Sequence, residues 1–359
     1  MRVAFYAPLK APDHPVPSGD RQIARLLLKA LAHAGLNPVV ASTLRLFENK
    51  EDKAARHHLE ALAAAETNRL LHHPPFTAWI TYHHYHKAPD FLGEAVATAM
   101  GIPYILIEAS LNPKYQHTPW GQAAARIVGW ADAVLQFNPK DIAGIAPFLR
   151  AGVVQMPLPL FLDTTRHPIA ATPGAGGRLL AVGMLRGGDK LASYRVLAEA
   201  LNKVEAPWTL TIVGDGPARG QVEALFPQNT VRFAGLVEPD AIPTLLTQHD
   251  LFVWPAVNEA LGMSLLEASA AGLPVLAGFS PGVATIIEDG VTGVLVPQGD
   301  VGAFAAALQE LLNNPTRLAA LGAAGRAKVQ QEHGIAAAAE EIKNTIYHLS
   351  SYNNSLASG

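Results

Sequence analysis

The chain has 359 residues, of which 49% are hydrophobic and 16% charged, and its formal net charge is −3. This composition excludes a disordered chain or a coiled coil, gives no sign of nucleic-acid binding, and at this length favours two domains. The absence of cysteine excludes disulfides, thiolate metal ligands and a cysteine nucleophile. The apolar runs are shorter than the roughly 20 residues of a membrane span, and no secretory signal is recognisable. We therefore expect a cytoplasmic protein, and peripheral contact with the inner face of the membrane stays open.

Strand patterns alternate with helical patterns along the first 160 residues. A strand is predicted at 3–7, a Pro/Gly-rich loop follows, and an amphipathic helix begins near Asp20. Further strands are predicted at 38–41, 79–82, 103–107, 133–137 and 153–156, with helices at 51–71, 91–100 and 120–130. This alternation favours a doubly wound parallel sheet, so residues 1–160 are assigned to an N-terminal Rossmann-like domain.

The segment 161–177 is rich in proline and glycine and is predicted to be the domain linker. The alternating pattern then restarts, which assigns residues 178–330 to a second Rossmann-like domain. A helix at 331–349 is expected to pack back on the first domain, and residues 350–359 are expected to fray. The fold class is therefore α/β, with two doubly wound domains facing across a cleft.

Two loops of the second domain have residues suited to a diphosphate. In the first, Arg186 and Lys190 flank two glycines at a helix start, where cations and free N–H groups attract anions. A solvated basic turn is the alternative. The second loop contains Gly214 and Gly216, which permit close ligand approach but are also typical of any tight turn.

A third loop joins acidic residues to a helix start. Glu259 lies in the loop, Gly262, Met263 and Ser264 open a helix, and Glu267 lies further along it. Because the residues between are apolar, Glu267 must pair with another group or contact a polar ligand. The alternative is that Glu259 is a surface carboxylate and Glu267 a rim residue.

The spacing of Glu259 and Glu267 resembles the E-x7-E signature of the retaining GT-B glycosyltransferases of family 4. The motifs at 213–217, 231–235, 249–255, 267–275 and 289–296 follow in the order of that family. These motifs cover about half of the chain. The first half is similar to the family only in outline, through the loop at Gly19 and the alternation of strands and helices.

The resemblance implies that the second domain binds a nucleoside-diphosphate sugar and the first domain an acceptor. Glu259 would face the donor sugar, Glu267 the ribose hydroxyls, and Arg186 and Lys190 the diphosphate. The other implied donor contacts are backbone N–H groups of Gly262 and Met263, the neighbouring Ser264, the turns at Gly214 and Gly216, the base pocket at Gly235 and Leu236, and the loop at Gly19. No metal and no tightly bound cofactor are expected.

The chain departs from the family at two positions. Met184 stands where the family has an arginine, so Arg186 is expected to take over that role. Glu108 stands where the family often has a histidine, so either Glu108 takes over a sugar-facing role on the acceptor side or that site is remodelled. On this acceptor side His83 and His84 are expected to bond sugar hydroxyls, since no carboxylate at ligand spacing supports a metal site.

The expected function is transfer of a sugar to an acceptor hydroxyl with retention of the anomeric configuration. The acceptor would be a glycan, a glycolipid or a small molecule, in bacterial polysaccharide or glycolipid synthesis. A GT-B-type sugar-nucleotide epimerase and a non-catalytic sugar-binding protein are the alternatives. Epimer formation would indicate the first, and nucleotide binding without turnover the second.

Overall fold

The computed structural model of the chain describes residues 1–16, 18–167, 171, 174, 177–227 and 229–357. The chain divides into two compact units, which are Met1–Pro159 with Ile335–Gly359 (unit 1) and Leu160–Gly334 (unit 2). The predicted linker 161–177 begins inside unit 2, and its residues 168–170, 172–173 and 175–176 lie outside the described residues. In the described ranges, no helix has the length and hydropathy needed to cross a membrane.

Unit 1 contains a six-stranded parallel sheet in the order β2-β1-β3-β4-β5-β6. Its strands are β1 (Arg2–Tyr6), β2 (Asn37–Ser42), β3 (Ala78–Tyr82), β4 (Tyr104–Ile107), β5 (Ala133–Gln136) and β6 (Val154–Pro157). The helices between them are α1 (Gly19–His33), α2 (Lys53–Leu71), α3 (Gly93–Met100), α4 (Pro119–Trp130) and α5 (Pro139–Ile145). Every residue of β3, β4 and β5 is buried, as expected for central strands that are covered on both faces.

Unit 2 repeats this architecture in the order β12-β11-β10-β7-β8-β9. Its strands are β7 (Arg178–Val182), β8 (Thr209–Val213), β9 (Val231–Gly235), β10 (Leu251–Trp254), β11 (Val275–Gly278) and β12 (Val294–Val296). Its helices are α6 (Asp189–Leu201), α7 (Arg219–Glu223), α8 (Ile242–Thr247), α9 (Met263–Ala270), α10 (Pro281–Ala284), α11 (Val301–Leu312) and α12 (Pro315–Glu332). The prediction of two doubly wound α/β domains is thus confirmed, and the cleft between them stays a prediction.

The last helix, α13 (Ile335–Ala357), belongs to unit 1 and packs against α1. It continues past residue 350, where the sequence analysis expects fraying. No proline or glycine interrupts residues 350–357, so nothing in the local sequence ends the helix earlier.

A buried carboxylate joins the sheet of unit 1 to α3. Asp90 is fully buried and accepts hydrogen bonds from two backbone N–H groups at the start of α3, both at 2.9 Å. It also accepts from the Tyr104 hydroxyl at 3.0 Å and from the Thr81 hydroxyl. A buried carboxylate is tolerated when its oxygens are bonded in this way, so Asp90 fixes the register of α3 on β3 and β4.

We predict that Asp90→Ala destabilises unit 1 by about 3 kcal/mol, because several buried donors lose their acceptor. This corresponds to a fall in Tm of about 6–12 °C, measured by differential scanning calorimetry. The control is Asp13→Ala, which removes an exposed carboxylate and is expected to change stability by less than about 0.5 kcal/mol. Equal effects of the two substitutions would contradict this account of Asp90.

Candidate functional site

The strongest polar contact at the carboxyl edge of the unit 2 sheet joins Lys190 to Glu259. Lys190 lies in the first turn of α6 and Glu259 in the loop after β10, and Lys190 Nζ is 2.5 Å from Glu259 Oε2. Trp254 Nε1 donates to the same oxygen at 3.0 Å. The two side chains keep 20% and 17% of their surface exposed, so a ligand can still reach them. The structure therefore brings together two of the predicted site residues.

The indole of Trp254 is itself fixed by aromatic packing. The Tyr194 ring lies edge-on to it, with centroids 5.1 Å apart, and Lys190 Nζ lies 5.0 Å from its ring centroid. The Tyr194 hydroxyl donates to the Gly183 carbonyl at 3.1 Å. A Cβ atom at Gly183 would lie 3.2 Å from Trp254 Cη2 and 3.2 Å from the Tyr194 hydroxyl oxygen. This close approach explains why a glycine follows β7. Trp254 and Tyr194 were not predicted as site residues, although both positions are aromatic in the sequence.

The loop that carries Glu259 is held in an unusual backbone conformation. Ala256 and Asn258 both have positive φ, at 52° and 48°. The Val257 N–H donates to Ser193 Oγ at 3.0 Å, and the Ser280 hydroxyl donates to the Glu259 carbonyl at 2.8 Å. Such strain persists only where the surroundings fix it, so α6 and the residues after β11 position the Glu259 carboxylate.

The glycine turns after β8 serve packing between loops. Gly214 and Gly216 have φ of 136° and 156°, and a Cβ at either position would collide with the carbonyl of Gly183 or Leu185. The Leu185 N–H donates to the Asp215 carbonyl at 3.0 Å. Packing alone is thus sufficient to explain glycine at both positions, and their predicted contact with a donor remains untested.

Two cations lie in or near these turns. Arg186 is exposed, and its guanidinium makes no ion pair or side-chain hydrogen bond within the part of the chain described. Arg219 pairs with Asp215 at 3.6 Å and with Glu223 at 2.7 Å. Arg186 therefore does not join the Lys190–Glu259 contact, and Arg219 is a cation that the sequence analysis missed.

The predicted base pocket lies where β9 ends. Gly235 has a φ of 68°. A Cβ atom built at Gly235 would lie 3.9 Å from a guanidinium nitrogen of Arg219. Leu236 follows and is 73% exposed, the most exposed large apolar side chain among the described residues. This edge therefore offers an apolar surface beside a cation.

Gly262 directly precedes α9, and its φ of 74° and ψ of 42° are left-handed. The amides of Met263 and Ser264 open the helix, so they have no intrahelical acceptor. The Glu267 side chain is half-buried and makes no hydrogen bond or ion pair with any residue the structure describes. Burial raises the pKa of Glu267 to about 7, against the opposing charge of Arg166.

The predicted acceptor residues lie at the carboxyl edge of the unit 1 sheet. His83 Nδ1 is 3.0 Å from Asp20 Oδ1. Gly19, which precedes Asp20 and is the first residue of α1, is exposed. Glu108 is buried and accepts from the N–H groups of Phe137 at 2.7 Å and Asn138 at 3.4 Å. Burial, together with the charge of Asp141, raises the pKa of Glu108 to about 7.

His84 has a different environment. It is fully buried, its Nε2 lies 2.9 Å from the Ala124 carbonyl, and its Nδ1 accepts the Asp90 N–H at 3.2 Å. Both ring nitrogens are therefore used inside unit 1, and burial lowers the pKa of His84. His83 and His84 are consecutive, and consecutive side chains at the end of a strand point to opposite faces of the sheet. The sequence therefore contained a signal that distinguishes the two histidines. Within the described ranges, no three His, Asp or Glu side chains are arranged to hold a metal ion.

Comparison of the whole fold identifies its class. The structure resembles sucrose-phosphate synthase from Thermosynechococcus elongatus with a TM-score of 0.78 and 19% identity, over 98% of this chain and 100% of that one. The fold class is thus GT-B, as the resemblance implies.

Comparison of sequences finds a family model and several relatives that match part of the chain. Residues 176–314, which are less than half of the chain, match the model of the glycosyl transferases group 1. Sulfoquinovosyl transferase SQD2 of Arabidopsis thaliana is 33% identical over 43% of this chain and 31% of its own length. A GDP-mannose-dependent monoacylated alpha-(1-6)-phosphatidylinositol monomannoside mannosyltransferase of Corynebacterium glutamicum is 36% identical over 38% of each chain. The chain spans about a third of the length of these two curated relatives.

The position of Glu267 makes a prediction about pH. A carboxyl group whose pKa is higher in the folded than in the unfolded state costs stability as pH rises from about 4.5 to about 7. Glutamine does not ionise, so Glu267→Gln should gain stability relative to wild type between pH 5 and pH 8, on the order of 2 kcal/mol.

The measurement is the difference in Tm between the variant and wild type at the two pH values. Glu199→Gln, the same change at an exposed position in α6, is the control and should show no such pH dependence. A difference for Glu267→Gln that is equal at both pH values would contradict the buried environment assigned to it.

Proposed function

We propose that the chain transfers a sugar from a nucleoside-diphosphate sugar to an acceptor hydroxyl, with retention of the anomeric configuration. The observation that carries the proposal is the Lys190–Glu259 pair at the carboxyl edge of unit 2, where open α/β sheets bind ligands. The family match over residues 176–314 supports the same function.

The diphosphate is the group that Lys190 and Arg186 suit best. An ammonium group has three donors, so Lys190 can bond a phosphate oxygen while it remains near Glu259. Arg186 is exposed beside the start of α6 and can add a second positive charge. When the bond to the anomeric carbon breaks, the leaving diphosphate gains negative charge, which these cations and the N-termini of α6 and α9 stabilise. This arrangement supplies the charge stabilisation without a metal or a tightly bound cofactor.

The two glutamates have separate tasks in this proposal. Glu259 is fixed by Lys190 and Trp254, so it orients the donor sugar and stabilises positive charge at the anomeric carbon. The Glu267 side chain has no hydrogen-bond partner within the residues described, and its carboxylate accepts hydrogen bonds from the ribose hydroxyls. The exposed Leu236, with Gly235, contacts the base.

The acceptor is proposed to bind unit 1, at the strand ends that carry His83 and Glu108. The relatives differ in the sugar they are named for, sulfoquinovosyl in one and mannose in the other, so the proposal does not fix the donor sugar. The proposed acceptor is a glycan, a glycolipid or a small molecule. We place the reaction in bacterial polysaccharide or glycolipid synthesis in the cytoplasm, with contact at the inner membrane face for a lipid acceptor.

An epimerase is the second candidate, because it needs acid and base groups in unit 1 and this edge has them. Glu108 and His83 are both titratable, and the pKa of Glu108 is raised to about 7 by burial and by Asp141. The two functions differ in product: an epimerase converts the donor to its epimer without an acceptor, whereas a transferase releases the nucleoside diphosphate.

Lys190→Ala tests the donor site. We predict that wild type binds UDP or GDP, and that the variant binds the same nucleotide at least about tenfold more weakly, because a charge-assisted hydrogen bond is lost. Isothermal titration calorimetry with each nucleotide measures the Kd. Lys203→Ala, which removes an exposed lysine beyond the end of α6, is the matched control and should leave the Kd unchanged. The donor site would be wrong if wild type bound neither nucleotide, or if Lys190→Ala bound as tightly as wild type.

A further inference from the structure

Two loops of unit 1 bring an aromatic stack and two lysines together. The loop after β3 contains Tyr85, His86 and Lys87, and the loop after β4 contains Lys114 and Tyr115. The His86 ring stacks on the Tyr115 ring, with centroids 4.4 Å apart and an interplanar angle of 17°, and its centroid lies 4.0 Å from that of the Tyr85 ring. These five residues, which we call the Tyr115 cluster, have no role in the proposed donor site.

The backbone of both loops is held in place by hydrogen bonds. Tyr85 and Ala88 exchange backbone hydrogen bonds at 2.8 and 3.3 Å, and Lys87 lies between them in the chain. In the second loop, Asn112 Oδ1 accepts the Lys114 N–H at 3.0 Å. The two lysines therefore extend from fixed backbone positions, which lowers the entropy cost of binding a ligand.

Both lysines lack a negatively charged partner. Within the residues that the structure describes, Lys87 and Lys114 form no ion pair. Their Nζ atoms lie 4.9 and 6.0 Å from the centroid of the Tyr115 ring. An aromatic ring attracts an ammonium group without neutralising its charge. Two positive charges therefore remain available beside one tyrosine ring.

The His86 ring adds a hydrogen-bond donor that has no acceptor. His86 is 5% exposed, and its Nδ1 accepts the Asn112 N–H at 3.4 Å, so the proton of the neutral ring is on Nε2. Burial and the charge of Lys87 lower the pKa of His86 to about 4, although the Ser110 backbone opposes this shift, and the ring is neutral at pH 7. Nε2 is buried and has no hydrogen-bond partner among the described residues.

The two ammonium groups and the Nε2–H group require the same kind of ligand atom. All three donate hydrogen bonds and none accepts one, so the complementary group is an anion with several acceptor oxygens. A phosphate has more acceptor oxygens and more negative charge than a carboxylate, so it matches the cluster better. The tyrosine rings beside these donors suit the apolar face of a sugar or polyol that carries the phosphate.

We propose that the acceptor carries a phosphate group and that the Tyr115 cluster binds it. The phosphate oxygens accept hydrogen bonds from Lys87 and Lys114. The Tyr85 and Tyr115 rings that pack on His86 are only half-buried, so a shift of these rings brings Nε2 into contact with the same group. The proposal rests on the proposed function, because it describes the acceptor, but the binding step concerns unit 1 alone. The phosphate belongs to a soluble sugar phosphate or to a lipid headgroup, which share this chemistry.

Isothermal titration calorimetry with glucose 6-phosphate tests the site, with saturating UDP or GDP present to occupy the donor site. Wild type should bind glucose 6-phosphate at least about tenfold more tightly than glucose, because the phosphate receives charge-assisted hydrogen bonds. Lys87→Ala and Lys114→Ala should each weaken this binding about fivefold. Lys53→Ala, which removes an exposed lysine of α2 in the same unit, is the matched control and should leave the Kd unchanged.

His86→Phe separates binding from packing. Phenylalanine keeps an aromatic ring in the stack and removes the Nε2 donor, so the Tm should stay within about 3 °C of wild type. Binding of glucose 6-phosphate should nevertheless become about fivefold weaker. A His86→Phe variant that binds as tightly as wild type would show that His86 only packs, and would contradict its place in the site.

Vesicles distinguish the two sources of the phosphate. Co-sedimentation compares phosphatidylcholine vesicles with and without phosphatidylglycerol. Binding that requires phosphatidylglycerol, and that is lost in Lys87→Ala and Lys114→Ala but not in Lys53→Ala, supports a lipid headgroup. Binding of glucose 6-phosphate without such vesicle binding supports a soluble sugar phosphate.

The inference is overturned if wild type binds neither probe, or if Lys87→Ala and Lys114→Ala bind both probes as tightly as wild type. It is also overturned if the loss occurs in Lys190→Ala instead, since the phosphate would then bind unit 2. Nucleotide binding without binding of either phosphate probe overturns only this inference. A wild type that binds neither UDP nor GDP overturns the proposed function and, with it, the assignment of this ligand as the acceptor.

Discussion

The ion pair between Lys190 and Glu259 is the contact on which the site in unit 2 depends. It joins the first turn of α6 to the loop after β10, and the Trp254 indole donates to the same carboxylate oxygen. Both side chains are mostly buried, so each charge would be costly without the other. The pair therefore keeps a cation and an anion side by side at a partly exposed strand edge. A diphosphate and the sugar attached to it require just these two charges.

Much of the surrounding structure maintains this contact. Tyr194 packs on Trp254, Ser193 binds the backbone at Val257, and Ser280 holds the Glu259 carbonyl. The strained backbone at Ala256 and Asn258 is the cost of this positioning. These residues belong to four different segments of unit 2, so the site is a product of the whole sheet edge and not of one loop.

The sequence predicts the fold well because the physical signals for it are local. Buried apolar runs indicate β3, β4 and β5, and the order of motifs after residue 210 predicts the second sheet. The pairing of Glu259 with Lys190 has no such signal, since the residues are 69 positions apart. The same holds for Asp20 and His83, which are 63 positions apart and are brought together only in the folded unit. Side-chain direction also limits prediction: His83 and His84 are adjacent, yet one is partly exposed and the other lies in the core.

The two units divide the chemistry in a consistent way. Unit 2 presents cations, helix N-termini and the Glu267 side chain, which has no hydrogen-bond partner among the described residues, and these groups suit a nucleoside diphosphate. Unit 1 presents the lysines and aromatic rings of the Tyr115 cluster, which suit a phosphate group on an acceptor. The parallel strand ends explain why both sets lie where they do, since ligands of open α/β sheets bind beyond the carboxyl ends of the strands.

The most direct measurement is a crystal structure of the chain with bound UDP or GDP. The account predicts a phosphate oxygen within hydrogen-bonding distance of Lys190 Nζ and the ribose hydroxyls on the Glu267 carboxylate. A nucleotide bound away from both residues, with Lys190 and Glu259 unchanged, would contradict it.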